Sequence, residues 1–232
     1  MRTTEINMRS EAGMKIQVRL LTMAALVCVV TLGGGCRSMY YSAYEKFGVY
    51  KRDLLKKNVV AARDDQKEAS EQFKDALTRL KELYGFSGGN LEKAYNGLQS
   101  EYDDCASKAE DVHKRIREVE TVANDLFAEW DKEIGEISTP ALANSSRRQL
   151  QATRERYNGL HEALKDAESS MTPVLTQLHD QVLYLKHNLN AQAIASLKGE
   201  AMNIQTDISK LIAQMNAAIA KADEFVKTLQ PE

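Results

Sequence analysis

A chain of 232 residues allows one or two domains, and 31 Lys and Arg against 33 Asp and Glu leave a net charge of −2. With the two signs interspersed, the chain lacks the clustered basic surface that replaces phosphate counterions, so nucleic-acid binding is not expected. Three cysteines and three prolines in this length exclude a disulfide-stapled scaffold and favour long uninterrupted helices.

The first readable element is a leader. Met14, Lys15 and Arg19 precede the apolar run Leu20 to Leu32, after which come Gly33, Gly34, Gly35 and Cys36. A basic start, an apolar run of this length and small residues before the cut are the layout of a secretory signal peptide. A cut before cysteine, as in bacterial lipoproteins, makes Cys36 the expected site of lipid attachment. Gly33 stands where a lipobox usually has Leu. The competing reading is an uncleaved anchor extending back to Ile16, which Gln17 and Arg19 interrupt. Translation from Met14 gives a signal of ordinary length. Residues 1–35 are therefore read as leader and signal peptide. Removing them takes away four basic and two acidic groups, leaving 27 against 31. Cys28 leaves with the leader and Cys36 is acylated, so Cys105 is the one remaining thiol; its place on an apolar seam predicts a buried, inert side chain.

Residues 36–54 form a distinct segment. Tyr40, Ala43, Phe47, Tyr50 and Leu54 repeat at steps of three and four but slip by one residue against the seam that starts at Leu55. Tyr41 and Tyr44 add to the aromatic density. Next to a lipidated cysteine, rings with polar tips suit a membrane interface, while packing on the open end of a bundle is the alternative. Tyr40, Tyr44, Phe47 and Tyr50 are the interaction candidates.

Residues 55–232 read as one helical domain. Its first seam is Leu55, Val59, Ala62, Gln66, Ala69, Phe73, Ala76, Leu80 and Leu83, and it ends at the glycines around 85–89, with Asn90 placed to cap the next helix. The second seam, Leu91 to Trp130, fills twelve successive positions without a charge. Ser138, Thr139 and Pro140 then give a stop and a restart. A third seam runs from Leu150 to Leu185 and stays in phase across Pro173, which predicts a kinked helix and no domain boundary. Lys186 to Asn190 predicts a turn, the alternative being one helix of about 85 residues. The fourth seam runs from Ile194 to Leu229. The fold expected is all-α: an elongated antiparallel bundle or coiled coil of about four long helices. The four seams close within one chain, or pairs of them close across a homodimer.

Catalytic chemistry is not apparent in the sequence. His113, His161, His179 and His187 have no ligand at the spacing of a helical zinc pair, and each is expected on solvated helix surface. No glycine-rich phosphate loop is present, and paired acids such as Asp103 and Asp104 read as solubilising. No cofactor or metal is expected.

Three stretches carry a resemblance: residues 40–53 (YYSAYEKFGVYKRD), 126–130 (LFAEW) and 182–191 (VLYLKHNLNA). They resemble the signature segments of a bacterial domain-of-unknown-function family, number 2959, over nearly all of residues 38–229. The resemblance implies a helical, lipoprotein-like envelope protein and transfers no catalytic residue. The function expected is that of a lipid-anchored periplasmic structural or interaction protein, with Arg37 after the cysteine resembling outer-membrane sorting. Its partners are the membrane, through the lipid, and an envelope protein. The alternative is an accessory ligand- or metal-binding enzyme with a site between helices near His179, Asp180 and His187. A pore-forming role is disfavoured by the polar helix faces.

Overall fold

A computed structural model describes residues 50–85 and 90–229. Among these, four α-helices account for nearly every residue: α1 Lys51–Tyr84, α2 Leu91–Glu136, α3 Pro140–His187 and α4 Ala191–Thr228. At 1.5 Å per residue, α1 is about 51 Å long and α2 about 69 Å. The helical unit begins at Lys51, so Leu54, 6% exposed, joins the core beside Leu55.

Local chemistry ends the helices where the sequence suggested. Asn90 accepts from the backbone N–H of Lys93 at 3.0 Å and caps α2. Asn190 does the same for Ala193 at 3.0 Å, which fixes the start of α4 and the turn between α3 and α4. Thr139 is the N-cap of α3 with Pro140 behind it, but the threonine side chain makes no capping bond. Helix α3 runs unbroken through Pro173. The ring faces outward, and the cost of the missing donor falls on the carbonyl of Ser169 alone.

Each helix has two main neighbours: α1 packs on α2 and α4, and α3 packs on the same two. Pairings fix the directions. Arg115 on α2 donates to Asp65 at 2.8 Å, Gln72 donates to Glu101 at 2.8 Å, and Arg63 donates to Asp223 on α4 at 2.9 Å. Tyr84 at the end of α1 feels the charge of Glu200 on α4, so rising numbers on α1 meet falling numbers on both neighbours and the bundle is antiparallel. The core follows the seams. All nine residues of the first seam are buried, including Gln66 at 0% exposure, and so are the eleven from Leu150 to Leu185. In α2 the seam is covered from Val112 to Leu126 and at Leu98 and Cys105, but Leu91, Tyr95, Tyr102, Ala109 and Trp130 are only half-buried, while Val122, Phe127 and Ile134 off the seam are also covered.

The helices do not end together. Lys51, which opens α1, pairs with Glu129, and Phe225 near the end of α4 packs its ring on Tyr157 at 6.1 Å. Residues 130–136 of α2 and the facing start of α3 therefore run on for about two turns without α1 or α4 beside them. Within this extension Trp130 Nε1 donates to Ser146 Oγ at 2.8 Å, and Ile134 and Ala143 are the buried apolar side chains.

Candidate functional site

Cys36, Tyr40, Tyr44 and Phe47 lie outside the described residues. Tyr50 lies just before α1 and is 66% exposed.

The residues proposed for an inter-helical enzyme site are not brought together. His179 lies half-buried with its ring stacked on Tyr102 at 5.0 Å. His187 is exposed as the last residue of α3, eight positions and about 12 Å further along the helix. Asp180 is exposed. Among the described residues, no group of three or more His, Cys, Asp and Glu side chains is placed to hold a metal.

Three of the four histidines lie half-buried at the helix surface and are each held by a partner from the neighbouring helix. His113 on α2 shares a hydrogen bond with Glu168 on α3, and His161 on α3 shares one with Glu120 on α2 at 2.7 Å. The two pairs are reciprocal: seven residues separate His113 from Glu120, and seven separate His161 from Glu168. Lys165 links them, donating to Glu168 while also feeling the charge of Glu120. Burial pushes the Glu168 carboxyl up, yet the hydrogen bonds from Lys165 and His113 outweigh it and hold the group below its ordinary value. His161 in turn stacks on Tyr157 at 5.8 Å, and Arg154 sits over the Phe127 ring at 5.5 Å. The result is a row of alternating charge and aromatic rings along the α2–α3 seam. The two His–Glu pairs lie about 10 Å apart, too far to share one ion. A search confined to spacings within one helix misses them, because each partner comes from the neighbouring helix. Matching heptad steps on the two strands of the hairpin were the available signal.

The remaining polar core is sparse. Tyr84 donates its hydroxyl to Gln181 Oε1 at 3.2 Å; burial, aided by Glu200, pushes the phenol up to about 12. Gln66 and Ser70, one turn apart on α1 and 0% and 1% exposed, have side chains with no hydrogen-bond partner among the described residues. Cys105 is fully buried, and burial followed by Glu101, Asp104 and Asp75 raises its thiol well above the reactive range. A shallow cleft of about 530 Å³ lies where α1 ends and α2 begins, and Arg79 crosses it close over Gly97, which leaves room for the guanidinium stem. Its lining holds one carboxylate, Glu82, already bonded to Arg79 at 2.7 Å.

Exposed large apolar side chains show a clear pattern. Tyr50, Ile137 and Leu142 lie toward the end where α2 turns into α3. Leu183, Tyr184 and Leu189 lie around the turn from α3 to α4, and Met202 lies on the flank of α4 about three turns further on. The flanks between are charged, with surface pairs such as Lys108–Glu68 at 2.6 Å and Lys221–Glu224 at 3.1 Å. No helix among the described residues is long and apolar enough to cross a membrane.

These features define an all-α protein, an antiparallel bundle whose polar contacts are spent on holding helices together. Residues 40–229 match the family described as protein of unknown function DUF2959, and the chain belongs to that family. A search of curated proteins gave no match.

Proposed function

We propose that this protein is a lipid-tethered structural or interaction protein of the bacterial envelope, held through Cys36 on the periplasmic face of the outer membrane. The observation that carries the reading is the leader ending at Cys36, set fifteen residues ahead of the helical unit that begins at Lys51. A basic start, an apolar run and a cysteine at the cut are the requirements for export and acylation. A bundle with charged flanks and apolar ends suits a body that makes its contacts at its ends. Arg37 in place of Asp after the cysteine favours the outer membrane.

Photo-crosslinking in intact cells tests this reading. Probes at Tyr40, Tyr44, Phe47 and Tyr50 are expected to capture lipid or one envelope protein, while a probe at the exposed flank residue Lys114 captures neither. Equal capture from both regions contradicts a contact surface at the tether.

A further inference from the structure

The interior face of α1 changes character along its length. Its two ends bury Leu54, Leu55 and Val59, and Leu80, Leu83 and Tyr84. Between them it buries Ala62, Gln66, Ala69, Ser70, Phe73 and Ala76, so Phe73 is the one large apolar side chain in about four turns. On the diagonal helix α3, a comparable length between Tyr157 and Gln181 buries Leu160, Leu164, Ala167, Met171, Val174 and Leu178. The facing part of α4 is small as well, since the Arg63–Asp223 pair sets Ala218 and Ala222 at the level of Gln66.

Burial in the middle of α1 therefore stabilises little and carries a cost. Alanine brings little apolar area to the interior. Gln66 and Ser70, 0% and 1% exposed, give up water for no hydrogen bond from the described residues, a penalty that falls on the closed state alone. What holds this stretch is polar and lies outside the core. Asp223 accepts from Arg63, Asp65 from Arg115, Glu68 from Lys108 and Glu101 from Gln72, so the ties all fall within residues 63–72 of α1. The side chains of the three ion pairs keep between 22% and 60% exposure, and pairs so exposed are individually weak and screened by salt.

We propose that the middle of α1, residues 62–76, is a compliant segment that opens locally while both ends of the helix stay seated and α2, α3 and α4 stay packed. Opening returns Gln66 and Ser70 to water and uncovers methyl groups and one ring, so it takes less free energy than unfolding the bundle. Salt favours the open form, because the outer ties are mostly ionic. One wall of the bundle thus yields at a defined place, under the control of surface charge.

The test is hydrogen–deuterium exchange of the full chain in mild detergent, read peptide by peptide by mass spectrometry. Amides of residues 62–76 are expected to exchange at least tenfold faster than those of 160–178, and several-fold faster still in high salt. Low urea is expected to quicken 160–178 and to leave 62–76 unchanged, because a small opening exposes little surface. Gln66→Leu with Ser70→Ala is expected to slow exchange in 62–76 roughly tenfold, since the closed state then carries no unpaired polar group at these positions. The comparison of the two stretches in the unaltered protein stands even where that variant folds poorly. Equal rates in the two stretches, parallel acceleration by low urea, no response of 62–76 to salt, or a folded variant with unchanged exchange in 62–76 overturns the proposal.

Discussion

The four-helix section and the α2–α3 extension are built from the same kind of sequence and have different fates. Within the section, an apolar residue at a seam position meets side chains from two neighbouring helices, and Leu164, Leu178 and Leu211 are fully covered. Two turns beyond it, with only one neighbour, the inward positions Ile134 and Ala143 are still covered, at 3% and 9% exposure, while Leu142, one position off that stripe, is left 61% exposed. Amphipathic spacing therefore selects a helix and buries its inward stripe in both regions, and the number of helices at a level decides whether off-stripe apolar side chains such as Val122 and Phe127, at 7% and 6% exposure, are covered as well.

The largest expected break in this comparison comes from charge. Ile116→Asp, at a position 1% exposed in the section, is expected to destabilise the bundle by several kcal/mol, whereas Lys114→Asp on the flank stays within about 0.5 kcal/mol. Denaturant midpoints of the two variants check this. Truncation gives the next step: Leu164→Ala is expected to cost about 2–5 kcal/mol, and Leu142→Ala in the extension less than about 0.5 kcal/mol. Similar losses at both positions show that Leu142 is covered in solution.

Gln66 sharpens the comparison in the opposite direction. Its amide is buried without a partner in the section, so Gln66→Leu is expected to raise stability by about 1–2 kcal/mol, read as a higher melting temperature. A lower melting temperature shows that the amide is satisfied in solution.

The α2–α3 seam adds a pH dependence. Because the folded state holds Glu168 below its ordinary value of 4.5, its contribution is present above that value and lost as pH falls through the lowered one. Melting of the native protein from pH 6 down to pH 3 is expected to drop more steeply than that of Glu168→Gln. Parallel curves contradict the hydrogen bonds assigned to Lys165 and His113. The smallest effect belongs to the clasp in the extension: Ser146→Ala removes the acceptor for Trp130 at a cost of about 1 kcal/mol. Faster amide exchange confined to residues 130–150 is the expected readout.

Much of the fold was legible because it rests on spacing. Leu55 to Leu83, Leu150 to Leu185, the Asn90 cap and the turn within Lys186 to Asn190 follow from one-dimensional rules of period, capping and turn chemistry, and Cys105 is buried as its seam position required. The cross-helix contacts were not legible. Glu120 with His161, or Tyr102 with His179, depends on the register of α2 against α3, which no single helix encodes. Gln66, the polar member of the first seam, is core, because its neighbours in the pattern carry it inward regardless of its polarity. The position of the extension was hidden for a related reason: it depends on where α1 and α4 stop relative to their partners.

Whether the bundle is exported and tethered at Cys36 is decided by the intact mass of the mature protein purified from membranes. A chain beginning at Cys36 with added acyl mass is expected, and Cys36→Ser is expected to accumulate as the unprocessed precursor. A mature chain that begins at another residue, or one that begins at Cys36 without acyl groups, contradicts it.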